Sequence, residues 1–150
     1  MKSCAVLGNG PGLKAENIPA GAFLIGVNRS YKVVRSPIVC ATEGEPARLA
    51  YREARAFVYV KRGALPIGMP GVAVFDPPGW AYNAGAFGIW IAAQMGFDRI
   101  HLVGFGGEGH FSDDGTKADD RSYYRRYIEA AIEYAKARGA EIVHTVEVMA

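Results

Sequence analysis

The sequence predicts an α/β fold of three layers, a single domain over residues 1–150 with a mostly parallel sheet between helices. Three observations lead there. Short, continuous apolar runs end abruptly at Gly, Asn or Thr, the pattern of strands buried on both faces rather than half-exposed ones. Those runs alternate with segments of helical periodicity, and alternation of this kind builds a parallel sheet with helices packed on it. Finally, 150 residues, 50% of them hydrophobic and 21% charged, can bury one real core and are too few for two comfortable ones.

Taken in order, Cys4 to Leu7 is the first such run, ended by Gly8. Ala22 to Val27 repeats it and ends at Asn28, and Ile38 to Ala41 repeats it again before Thr42 and Glu43. After Pro46 the stretch ARLAYREARA reads as a helix leading into a fourth strand, Phe57 to Val60. Gly and Pro punctuation from Gly63 to Gly71 marks a loop, and Val72 to Phe75 is another strand. DPPGW is a turn, since successive prolines continue neither a ladder nor a helix interior. From Ala84 to Met95 the chain is small and apolar on nearly every side, a buried helix stopped at Gly96.

Arg99 to Val103 is a strand ending in Gly104, followed by the long polar loop GFGGEGHFSDDGTK, of a length usually functional or mobile in a compact domain. Asp119 or Asp120 can cap the last helix, where Tyr124, Ile128, Ala131, Ile132 and Ala135 share a stripe. Gly139 ends it, and Glu141 to Val146 is a closing strand.

Composition narrows the function. Seventeen basic residues against fifteen acidic leave a formal charge of +2, far from the concentrated positive field of a nucleic-acid binder. Cys4 and Cys40 both fall in strand-like runs and read as small buried thiols, so no disulfide and a reducing, cytoplasmic compartment are expected. The N-terminal apolar run is too short for a signal-peptide core, and no segment approaches the roughly 18 apolar residues of a membrane span. His101 and His144 read as structural, and their separation makes no metal motif.

The candidate site lies where the strands end. In open α/β sheets ligands bind beyond the carboxyl ends of the strands, and Gly8 to Gly12, Asn28 and Gly104 all occupy such ends. Bare glycine backbone lets a ligand approach, so that N–H groups can bond phosphate or sugar oxygens. Asn9 and Asn28 each offer a donor and an acceptor, as a base edge or ribose requires. The same glycines would equally serve a tight turn. A dinucleotide fingerprint is incomplete: Gly8 and Gly10 fit its first two glycines, but Leu13 stands at the third and Asn28 replaces the acidic strand end. A second glycine-rich start, YNAGAFGIW, places Asn83 as a helix cap with the amides of Ala84, Gly85 and Ala86 open to an anion. There too, Gly85 and Gly88 could simply let the helix lie close on the sheet.

GNGPGLKAENIP with a following strand end VNRSY resembles the opening of bacterial sialyltransferases that use CMP-sialic acid. YNAGAFGIWIAAQMGFDRIHLVGF is similar to their second nucleotide segment, and DRSYYRRY to a stretch near their catalytic histidine. Archaeal 6-hydroxymethylpterin diphosphokinases share the opening motif and the helix–strand pair. The resemblance implies a Rossmann-like domain with CMP or a CMP-sugar across the strand ends. It implies Asn9, Gly10 and Pro11 on the phosphate and ribose side, Asn28 on the nucleotide, and Asn83, Ala84 and Gly85 at the helix start. It further implies metal-independent transfer, with a nucleotide or nucleotide-sugar as ligand and no other cofactor. SDDG and ADDR lack the Asp-x-Asp spacing of a metal-dependent sugar transferase.

The chain departs from that family in its chemistry. Tyr127 stands where the family carries its general-base histidine, and a phenol with an ordinary pKa near 10 is a poor base at neutral pH. The aspartate ending the late strand is Gly106 here. His110, in the long loop, is the one local substitute able to donate to a phosphate or accept a hydroxyl proton, though a loop histidine can equally be only solvated. Arg121, Arg125 and Arg126 could clamp a phosphate or simply form a solvated face. Two classes of function follow: a small nucleotide-sugar transferase, or a non-catalytic nucleotide-binding accessory or sensor, either of them able to act as a homo-oligomer.

Overall fold

The computed structural model describes residues 2–105 and 122–144. Seven strands form one sheet: β1 (Ser3–Leu7), β2 (Phe23–Val27), β3 (Ile38–Ala41), β4 (Phe57–Lys61), β5 (Val72–Phe75), β6 (Arg99–Val103) and β7 (Glu141–His144). Their spatial order is β5-β4-β3-β2-β1-β6-β7, and every adjacent pair is parallel. Three helices cover it: α1 (Gly44–Glu53), α2 (Ala84–Gln94) and α3 (Ser122–Ala137). The α/β, layered, parallel architecture expected from the sequence is what the chain adopts.

The unbroken apolar runs are explained by burial on both faces. Along β1, Cys4 and Val6 point into a core shared with α2 and α3, whereas Ala5 and Leu7 pack on the other side with Leu13, Ile18 and Val34. All four are fully buried. Along β3 and β4, Val39, Ala41, Val58 and Val60 turn to Ala47 and Ala50 of α1.

The helix ends follow local chemistry. α1 begins at Gly44, ahead of Pro46, because proline is tolerated in a first turn whose N–H groups lack partners anyway. α2 is capped by Asn83, whose side-chain oxygen accepts from the Ala86 amide at 2.7 Å, and it stops before Gly96. The expected caps Asp119 and Asp120, and the end of the closing strand beyond His144, lie outside the described residues.

Gly88 sets how α2 sits. A β-carbon there would stand 2.8 Å from Val27 Cγ2 and 3.1 Å from Val6 Cγ1, so the helix backbone lies directly on β1 and β2. At the other end of α2 Phe97 stacks on Phe23, with ring centroids 5.6 Å apart. The helix therefore runs antiparallel to β2, and its first turn lies at the carboxyl edge of the sheet. Cys4 and Cys40 are buried free thiols on strands separated by β2, about 10 Å apart at the usual strand spacing and beyond disulfide reach. Burial pushes the Cys4 thiol up to about 12 and that of Cys40 higher still.

Candidate functional site

Strand order fixes where a site can form. From β1 the chain steps outward to β5, returns across the sheet to β6, and continues to β7. With right-handed crossovers, the outward steps lie on one face and the return steps on the other, which is how α1 is separated from α2 and α3. Only between β1 and β6 do neighbouring strands send their chains to opposite faces. That is the topological switch point, the place where such sheets open a crevice.

The glycine loop lies at that point, and much of its backbone is already engaged. Gly8 N–H donates to Val103 O and Gly10 N–H to Gly104 O, both at 2.8 Å. A β-carbon on Gly8 would stand 2.6 Å from Gly104 O, and one on Gly104, where φ is 79°, would stand 2.9 Å from Gly8 O. Gly8 and Gly104 thus let the ends of β1 and β6 touch. Their bareness serves this contact, and the amides of Gly8 and Gly10 are spent on it. Asn9 Nδ2 donates to Val27 O at 2.9 Å, tying the loop to the end of β2. The loop closes on itself through Leu13 N–H to Gly10 O at 3.1 Å and Asn17 Nδ2 to Gly12 O at 2.9 Å, with Gly12 buried and Pro11 exposed.

Asn28 is held differently. It takes a left-handed backbone, φ 51°, as β2 passes into a 3-10 turn over Asn28–Lys32. Buried Ser30 fixes this exit by accepting from Val27 N–H at 3.0 Å. Tyr31 fixes it again by donating its hydroxyl to Glu53 Oε1 at 2.8 Å, and burial together with that carboxylate pushes the phenol up to about 12. Asn28 Oδ1 is buried and has no hydrogen-bond partner among the described residues.

Asn83 is the counterpart across the rim. Its oxygen caps α2, and its Nδ2 is buried without a partner among the described residues. The helix bonds begin with Phe87 N–H to Asn83 O at 2.9 Å, and Ala86 N–H is taken by the cap. The amides of buried Ala84 and Gly85 stay outside the hydrogen bonds of the described residues. Donors therefore collect at the positive end of a helix dipole, and an acceptor stands at the adjoining strand end.

The structure thus gathers Gly8 to Gly12, Asn28, Asn83 to Gly85 and Gly104 at one edge of the sheet. Tyr127, on α3, is half-buried and packs against the core shared with α2. Arg125 and Arg126 are exposed on α3, whereas His110, Gly106 and Arg121 lie outside the described residues. Two contributors were missed in the sequence. Ser30 was signalled only by a hydroxyl just past a strand end. Phe105, whose ring edge would stand 3.0 Å from a β-carbon on Gly8, was signalled by an aromatic directly after the strand-ending glycine. Among the described residues no three His, Cys, Asp or Glu side chains cluster for a metal, and no helix is long and apolar enough to cross a membrane. No family model, curated protein or solved structure matches the chain.

Proposed function

We propose that the chain binds a nucleotide or nucleotide-sugar of the CMP type at the carboxyl edge of its sheet, beside the β1–β6 switch point. The observation that carries this reading is the pair of buried atoms without a partner among the described residues, Asn28 Oδ1 and Asn83 Nδ2. Leaving such a group dry and unbonded costs about 1–3 kcal/mol, which a ligand supplying the missing partner recovers. In this reading the phosphate takes the amides of Ala84 and Gly85 together with Asn83 Nδ2. Asn28 Oδ1 accepts from a ribose hydroxyl or the amino group of a base. The engaged amides of Gly8 and Gly10 make the glycine loop a wall of the site rather than its phosphate cradle. The buried free thiols fit a reducing, cytoplasmic setting.

Metal-independent glycosyl transfer, with His110 assisting departure of the nucleotide, is the activity the resemblance suggests. A tyrosine at position 127, where the resembled family carries its general-base histidine, favours the other class, a nucleotide-binding accessory or sensor without transfer. A thermal-shift series with CMP, CDP, UMP, AMP and GTP tests the binding reading. A ligand at a hundred times its Kd adds about 2.7 kcal/mol to folding, a rise of roughly 5–10 °C for a domain of this size. CMP-selective stabilisation is expected, and no shift with any nucleotide overturns the proposal. Hydrolysis of CMP-sialic acid by wild type and His110→Ala then separates the classes: equal background rates remove the transferase.

A further inference from the structure

The carboxyl edge continues past Asn28 toward β3 and β4, and strand alternation says which side chains reach the α2 side there. Val27, Cys40 and Tyr59 are level with one another and turn to the core shared with α2, whereas Ala41 and Val60, one residue on, turn to α1. Lys61 closes β4 one step further and so returns to the α2 side. Its position agrees: Lys61 Nζ stands 4.2 Å from the ring centroid of Tyr82, the residue directly before the α2 cap Asn83.

That ammonium has no carboxylate partner among the described residues. The acidic groups at this end of the sheet are placed elsewhere. Asp76 is held by Arg62 at 2.7 and 2.9 Å, Glu45 lies 3.9 Å from Arg29, and Glu43 precedes α1 on the opposite face. The exposed Tyr82 ring attracts the cation to its face and keeps it beside the start of α2.

We propose that Lys61, seated on Tyr82, is the subsite for a second anionic group that the ligand carries beyond its phosphate, an inference that rests on the nucleotide reading above. In that reading the phosphate takes the amides of Ala84 and Gly85, and Asn28 Oδ1 accepts from a ribose hydroxyl or base amino group. The nucleoside therefore lies toward β2. Whatever else the phosphate carries extends the other way, toward β3 and β4, where Lys61 stands. A cation at that end, with no carboxylate of the described residues to compete for it, favours a ligand that brings negative charge there. A terminal phosphate and the carboxylate of an acidic sugar share this chemistry, an oxyanion one group beyond the first phosphate.

Calorimetric titration of the full chain with CMP, CDP and CMP-sialic acid is the test, with Lys61→Met as the variant. Methionine keeps a long apolar stem and removes the charge. Wild type should bind CDP or CMP-sialic acid about fivefold more tightly than CMP, the size of a partly exposed ion pair. Preference for CDP assigns the oxyanion to a diphosphate, and preference for CMP-sialic acid assigns it to a sugar carboxylate. Lys61→Met should bind CMP as wild type does and lose the preference. Equal affinity of wild type for all three, or a preference kept by Lys61→Met, overturns the subsite and leaves the nucleotide reading standing. So does an equal loss of CMP and CDP binding in a folded Lys61→Met, because the charge would then act on the first phosphate. Binding of none of the three by wild type overturns both readings. If Lys61→Met does not fold, Lys61→Gln decides on the same ratio of affinities.

Discussion

At Gly8 an added methyl group would meet carbonyl oxygen rather than a flexible side chain, 2.6 Å from Gly104 O, and backbone cannot swing aside. Gly8→Ala must part β1 from β6 and stretch the bond from Gly8 N–H to Val103 O. Urea unfolding should show a loss of about 2 kcal/mol. Gly79→Ala is the control, since nothing stands within 4 Å of that site, and it should stay within about 0.5 kcal/mol of wild type. The same contact explains what the sequence could and could not disclose. Asn28 and Asn83 were legible as candidate site residues because an amide side chain at a strand end or helix start carries its chemistry wherever the neighbours are. Whether the amides of Gly8 and Gly10 were free was not legible. That depends on β6 lying beside β1, a pairing between segments more than 90 residues apart in the chain.

Among the elements, α2 shows how a helix can be plain in the sequence while its orientation is hidden. Nearly every side of it is apolar and Ala84 to Ile89 are all buried, so no stripe marks the face that meets the sheet. Its ends were legible because caps are local: Asn83 at the start and Gly96 at the stop. The start of α1 was misplaced for a related reason, since proline both breaks helices and opens them, and only the position of the first turn decides between the two. The cap yields a prediction that separates stability from binding. Asn83→Ala removes the acceptor for Ala86 N–H and should cost about 1 kcal/mol in urea unfolding. Asn83→Asp keeps an acceptor and places negative charge at the positive end of the helix, so its stability should match or exceed wild type. It also removes the Nδ2 donor and repels a phosphate, so the rise in Tm with CMP should vanish. A full CMP response in Asn83→Asp would move the phosphate elsewhere.

For the molecule as a whole, the dependence of stability on pH can be argued from β6. His101 lies on the face of that strand turned away from α2 and α3, half-buried, between Arg99 and the β7 residues Glu141 and Val143. Arg99 and Glu141 bond each other at 2.9 Å, and Glu141 N–H also donates to Asp98 O, so the imidazole stands beside a charge pair already satisfied. Burial lowers the His101 pKa below its ordinary value; Arg99 lowers it further, and Glu141 opposes both. The folded protein thus holds His101 neutral at a pH where the unfolded chain, with an ordinary histidine near 6.5, has begun to take up a proton. In that interval the unfolded state binds more protons, so stability rises with pH. The contribution is fully present above about 6.5 and is lost as pH falls from there through the lower folded pKa. Thermal unfolding of wild type and His101→Val at pH 7.5 and 5.5 checks the sign. The variant cancels the shared effects of the carboxylates and other histidines, and wild type should lose more Tm on acidification than His101→Val. An equal loss in both would mean that the proton is taken up alike by folded and unfolded chains, and that water reaches this face of β6 far more freely than its half-burial allows.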